Sequence, residues 1–181
     1  MLYTRKGDDG KTATFGCDQR ISKSGAVAEA LGSLDEVNSF LGLVKVKTGQ
    51  QTVADLKNLE ATLHGIQENL FIIQAEVAGA EKSISVEKVK EVESLVDKIE
   101  KTLPPIKTFF ISGGTELAAY FDFSRTIARR AERRVVAVSE EGLVKVGQST
   151  LAYLNRLSSL LYALARLSNH FSGITEQSPK Y

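Results

Sequence analysis

Between Val27 and Leu167, apolar residues recur every three or four positions in five separate stretches. That spacing gathers them on one side of an α-helix and on no single face of a strand. Val27, Leu31, Leu34, Val37, Leu41 and Val44 predict a first helix that ends near Gly49. Leu56, Leu59, Leu63, Ile66, Leu70, Ile73 and Val77 predict a second, which closes at Gly79 and alternates threes and fours like a coiled-coil seam. Its stripe suits a bundle core or an oligomer seam. A third helix carries Val86, Val89, Val92, Val96, Ile99 and Leu103, opens after Ser85 and stops at Pro104-Pro105. A fourth starts after Gly113-Gly114-Thr115 and fades by Gly142, and a fifth carries Leu151, Leu154, Leu157, Leu161, Leu164 and Leu167. Short connections between such helices predict an all-α, antiparallel five-helix bundle. Residues 1–24 read as an ordered glycine-rich loop, 25–171 as the bundle and 172–181 as a frayed tail, all in a single domain.

Composition narrows the function. The 23 Lys+Arg against 22 Asp+Glu give a net charge of +1, too balanced for a typical nucleic-acid domain. No apolar run is long enough for a membrane span, and the first residues hold no apolar signal core. Cys17 is the only cysteine, so a reducing, cytoplasmic setting is expected.

Positive charge is concentrated on the fourth helix, in the run from Arg125 to Arg134. At about 100° per residue, Arg125, Arg129 and Arg133 share a face, with Glu132 beside Arg125. Arg125 and Glu132 fall at the edge of the apolar stripe of Leu117, Phe121, Ala128, Ala131, Val135 and Val138; Arg130 and Arg134 point away from it. Arginines at a core border need acids or an anionic ligand, and one glutamate cannot match three of them. A polyphosphate fits; a solvated face laced with ion pairs is the plainer alternative.

Gly7-Asp8-Asp9-Gly10-Lys11-Thr12 looks like a phosphate-binding P-loop but lacks its first glycine, since Arg5 stands there, and no buried strand precedes it. The segment still offers backbone N–H groups, the hydroxyls of Thr4 and Thr12, and the cations Arg5, Lys6, Lys11 and Lys23. It could wrap phosphates or be a surface turn. His64 and His170, the only histidines, sit in no Glu-x-x-His pair, which argues against a di-iron bundle. Asp35-Glu36-Val37-Asn38 places Asp35 beside the core position Leu34, available to an arginine or simply solvated. Asn155-Arg156 is a polar pair among leucines, suited to a purine, a ribose or a contact inside the bundle. Residues 104–114 form a Pro/Gly-bounded connector with adjacent Phe109 and Phe110, one for the core and one for a pocket wall.

Taken in order, several of these segments resemble the PduO-type ATP:cob(I)alamin adenosyltransferases over nearly the whole chain. They are Tyr3 to Thr12, Arg20-Ile21-Ser22-Lys23, Leu34 to Ser39, Phe109 to Gly114, the Arg125–Arg133 run and Leu154 to Ser158. The resemblance implies a homotrimer with active sites at subunit interfaces. It implies transfer of the 5′-deoxyadenosyl group of ATP to a reduced corrinoid, giving adenosylcobalamin and triphosphate. Carried over by position, Thr4, Arg5, Lys6, Gly7, Asp8, Asp9, Gly10, Lys11, Thr12 and Lys23 would bind the ATP phosphates. Arg125, Arg129, Arg130, Glu132, Arg133 and Asn155 would complete the ATP site. Asp35 and Arg125 would pair across the interface and, with Arg129, serve catalysis. Phe109 would face the cobalamin and displace its lower axial ligand. Mg²⁺ would enter on the ATP phosphates, with no side-chain ligands. A corrinoid reductase and an adenosylcobalamin-dependent acceptor enzyme are the partners implied, with no nucleic acid and no membrane. The family usually has threonine at Lys6, proline at Ser112 and aspartate at Ser159. The rival readings are a noncatalytic bundle that binds and delivers nucleotide or corrinoid, and a structural oligomer with a solvated arginine face.

Overall fold

The computed structural model describes residues 3–14, 20–48 and 59–181. Five helices follow a two-stranded hairpin: α1 (Ala26–Thr48), α2 (Leu59–Val77), α3 (Val86–Thr102), α4 (Glu116–Glu140) and α5 (Gln148–Phe171). Leu56, the first apolar position expected in the second helix, lies outside the described residues.

The ends follow local chemistry. Ser85 accepts a hydrogen bond from the Lys88 N–H at the start of α3, and Thr115 accepts one from the Ala118 N–H at the start of α4. Each pairs an orphan donor of the first turn. Pro104-Pro105 then prevents α3 from continuing.

Neighbouring helices run in the order α2, α1, α4, α5, α3. The stripes read from sequence converge between them, with Leu34, Leu41, Leu63, Leu70, Phe121, Leu157 and Leu161 fully buried. Two buried polar clusters close α2 against the far side. Asn69 donates to the Tyr153 hydroxyl at 3.0 Å and accepts from Lys88, while Glu76 accepts from the Gly147 N–H at 2.7 Å and from Thr150. Burial pushes the Tyr153 phenol up to about 12. Among the described residues no helix is long and apolar enough to cross a membrane.

Two expectations need correction. The N-terminal segment is more than a loop, since β1 (Lys11–Ala13) pairs antiparallel with β2 (Arg20–Ser22) in register Thr12↔Ile21. Three-residue strands are too short to display a period of two. The segment after α5 is also tied down rather than frayed. Glu176 pairs with Arg166 at 2.9 Å, and the Gln177 carbonyl accepts the Ile111 N–H at 2.8 Å.

Candidate active site

The arginine run divides between two neighbours. Arg130 pairs with Glu36 and Arg134 with Glu29 at 3.8 Å, so these two tie α4 to α1. Arg125, Arg129 and Arg133 follow another line along α4. The guanidinium groups of Arg129 and Arg133 are exposed and meet no acid among the described residues. Arg125 is half-buried with its Nε 3.8 Å from an Asp122 carboxylate oxygen, too long for a hydrogen bond. That Nε has no hydrogen-bond partner among the described residues. A desolvated donor of this kind is costly unless an acceptor reaches it.

Arg125 and Arg129 line an open cleft of about 630 Å³. Its other walls are the 106–112 connector and Ser158, Ser159 and Tyr162 of α5. The Arg125 guanidinium lies 6.0 Å from the centre of the Tyr162 ring. Burial raises the Tyr162 phenol. The cleft is thus lined by both cationic and aromatic side chains.

The two phenylalanines, indistinguishable by spacing, have different surroundings. Phe110 is half-buried beneath the Arg166 guanidinium, 5.1 Å from its ring centre, whereas Phe109 is 78% exposed at the cleft.

On α5, Asn155 donates to Glu132 at 3.1 Å and accepts from Arg156 at 2.7 Å. Arg156 is held in turn by Glu93 of α3 at 3.0 Å. Glu132 and Asn155, read separately in the sequence, therefore meet beside the exposed Arg129–Arg133 line.

The N-terminal segment is braced from within. Arg20 grips Asp9 through two nitrogens, at 2.8 and 3.1 Å, and also bonds the Lys6 and Lys11 carbonyls. The Lys11 N–H and Arg20 hold the Asp9 carboxyl below its usual range. Lys23 reaches across to the Gly7 carbonyl at 2.8 Å, and a Cβ on Gly7 would come within 2.9 Å of that ammonium. Thr4 accepts the Lys6 N–H at 3.4 Å, while Gly10 and Arg5 both take positive φ in the turn that carries Asp8. Arg5, Lys6, Lys11 and the Thr12 strand are left presenting cations and a hydroxyl along one hairpin. The bracing bonds stay within residues 4–25; among the described residues none reaches α4 or α5.

Asp35 does not meet Arg125 within the chain. It is exposed in a separate groove between α1 and α2, beside Leu31 and the exposed Phe71. Of the two readings of its place next to Leu34, the solvated one holds within the chain, because its side of α1 faces outward. Asp122, Tyr162, Arg166 and Asn169 were not singled out by sequence reasoning. Each lies beside an apolar stripe rather than on it, so the spacing gave no signal for them.

Comparison with known proteins decides the family. A cobalamin adenosyltransferase family model matches residues 2–168. The chain belongs to the cobalamin adenosyltransferase family. It is 39% identical to the corrinoid adenosyltransferase PduO of Citrobacter freundii over 93% of its length, and spans 50% of that relative. It is 37% identical to a corrinoid adenosyltransferase of Bacillus subtilis over 96% of its length and 89% of that protein. Among solved structures, it superposes on a variant PduO-type ATP:corrinoid adenosyltransferase from Lactobacillus reuteri complexed with cobalamin and ATP. The TM-score is 0.90 at 29% identity, covering 99% of this chain and 97% of that one. The chain spans about half the length of the PduO relatives it matches.

Proposed function

We propose that this chain transfers the 5′-deoxyadenosyl group of ATP to the Co(I) form of a corrinoid, releasing triphosphate. The observation that carries this reading is one cleft lined both by the cations Arg125 and Arg129 and by the exposed Phe109. A corrinoid carrier has no need of the cationic wall, and a simple nucleotide-binding bundle has no need of the aromatic one.

In the reaction the Co(I) lone pair attacks C5′ of ATP. The Co–C bond forms as the C5′–O bond breaks, and the electron pair leaves on triphosphate. Cob(I)alamin is itself the nucleophile, so no general base is required. The protein's first task is to stabilise charge on the leaving group. Arg129, Arg133 and the hairpin cations Arg5, Lys6, Lys11 and Lys23 suit it, with Mg²⁺ carried on the phosphates. Glu132 and Asn155, already joined, bind the nucleoside end beside that line.

The second task concerns Co(II), whose reduction is unfavourable while a lower axial ligand donates to it. Phe109, exposed on the connector, is the wall that displaces this ligand and raises the potential.

The active unit is a homotrimer with sites between subunits. The hairpin and the α4 arginines are two halves of a phosphate site that, among the described residues, share no bond within one chain. Among the described residues the buried Arg125 Nε has no hydrogen-bond partner, and Asp35 is an exposed acid beside exposed apolar surface. Joining copies lets Asp35 of one meet Arg125 of the next. A reductase would supply electrons for Co(I), and an adenosylcobalamin-dependent enzyme would accept the product, in a cytoplasmic setting.

The test mixes the protein with Mg-ATP and chemically reduced cobalamin. The expected result is the adenosylcobalamin spectrum with one triphosphate per corrinoid alkylated. Tight binding of both ligands without alkylation would establish the delivery protein instead.

A further inference from the structure

The connector that carries Phe109 is held at both ends by one face of α5. At its first end, Arg166 donates to the Pro104 carbonyl at 3.1 Å and lies over the Phe110 ring. At its last end, Asn169 donates to the Gly113 carbonyl at 2.8 Å and accepts the Thr115 N–H at 3.0 Å. Arg166 and Asn169 are three residues apart, and so neighbours on the helix surface. Gly114 sits between these bonds at φ +104°, and a Cβ there would come within 2.3 Å of the Asn169 oxygen. The closeness of this grip leaves room for no side chain.

Arg166 is unusual in being only 5% exposed. A buried guanidinium requires a counter-charge. Glu176 supplies it from the segment beyond α5, through two carboxylate oxygens at 2.9 and 3.3 Å. The next residue, Gln177, accepts the Ile111 N–H, two positions after Phe109. Arg166 does not line the Arg125–Arg129 cleft; its hydrogen bond and its ring contact go to the connector, and Tyr162, one turn before it on α5, is its other neighbour at the cleft.

We propose that Arg166, fixed by Glu176, is a positioning residue for the corrinoid half of the reaction. Its hydrogen bond to Pro104 and its contact with the Phe110 ring hold the connector so that Phe109 projects into the cleft. Glu176 acts one step further out, by orienting Arg166. This rests on the adenosyltransferase reading above and adds to it a division of labour: Arg166 holds the Pro104 end of the connector, whereas the Gly113 end also donates to Asp122 of α4, beside Arg125, at 3.2 Å.

Glu176→Gln and Arg166→Lys test it together, each assayed from Co(II) with a chemical reductant and from pre-formed Co(I). Both variants should lose about tenfold in kcat from Co(II), while kcat from Co(I) and the KM for ATP stay within about twofold. The spectrum of bound Co(II) corrinoid should shift toward the form that keeps its lower ligand. Phe109→Ala combined with Glu176→Gln should be no slower from Co(II) than Phe109→Ala alone. Should Arg166→Lys fail to fold, Glu176→Gln decides, because its carboxylate is partly open to solvent. Equal losses from Co(II) and Co(I), or full Co(II) turnover in Glu176→Gln, would overturn the positioning role. A wild-type chain that fails to alkylate Co(I) would overturn the reaction itself, and the positioning role with it.

Discussion

Asn155 of α5 donates to Glu132 of α4 at 3.1 Å, fastening the arginine helix to its neighbour beside the exposed Arg129 and Arg133. The bond orients a carboxylate that would otherwise rotate freely at the edge of a cationic line. Asn155→Ala should raise the KM for ATP about three- to tenfold, the range for one neutral hydrogen bond, and leave the corrinoid half unaffected. Initial rates against ATP at fixed cob(I)alamin check this; an unchanged KM would make the pair a purely structural clasp.

Arg129→Ala removes an exposed cation without disturbing the core. Thermal stability should be nearly unchanged. The loss of a charge-assisted phosphate contact should cost about 1.5–3 kcal/mol, or about ten- to a hundredfold in kcat/KM for ATP. Arg130→Ala is the control, since Arg130 already pairs with Glu36 on the α1 side, and its effect should be smaller. Normal turnover of Arg129→Ala at saturating ATP would favour a solvated arginine face.

Asp35 and Arg125 are unpaired with each other in one chain, and the account pairs them across an interface. Sedimentation equilibrium should give a trimer at working concentration. Asp35→Asn should cut turnover by removing the charge that fixes Arg125, with little change in single-chain helicity. An active monomer would contradict the interfacial site.

The buried Tyr153 hydroxyl makes stability fall at high pH. Its folded pKa, about 12, lies above the ordinary value of 10.0, so the folded chain holds the proton more tightly than the unfolded one. The associated stability is fully present below pH 10 and is lost progressively as pH rises toward 12, on the order of 3 kcal/mol in all. Denaturant titrations between pH 9 and 12 should show the fall in the wild type. Tyr153→Phe should flatten it while leaving Asn69 short of an acceptor.

Much of this architecture was legible because it rests on local rules. Ser85 and Thr115 cap helices where a hydroxyl precedes an apolar stripe, and the stripes themselves became the core. The resemblance named the two walls and assigned Phe109 to the corrinoid, a choice that spacing alone could not make, since adjacent residues of one type have identical local signals. Only the Arg166 guanidinium, packed from another helix, separates them. Arg166 and Glu176 escaped notice for a related reason. A buried ion pair ten residues apart follows no helical period, and the segment bearing Glu176 is polar enough to pass for solvent-exposed. The Asp35–Arg125 relation is likewise invisible in one chain, because its geometry belongs to an assembly.

The most direct test is Phe109→Ala, because it separates the two walls of the cleft. As an exposed side chain, Phe109 should contribute about 0.5 kcal/mol or less to stability, against about 3–5 kcal/mol for a buried phenylalanine. ATP binding should be unchanged. Turnover that starts from Co(II) should collapse, and turnover from pre-formed Co(I) should fall far less, because removal of the lower ligand matters for reduction rather than for attack at C5′. Equal losses from Co(II) and Co(I), together with a lowered Tm, would contradict the account and show Phe109 to be a packing residue.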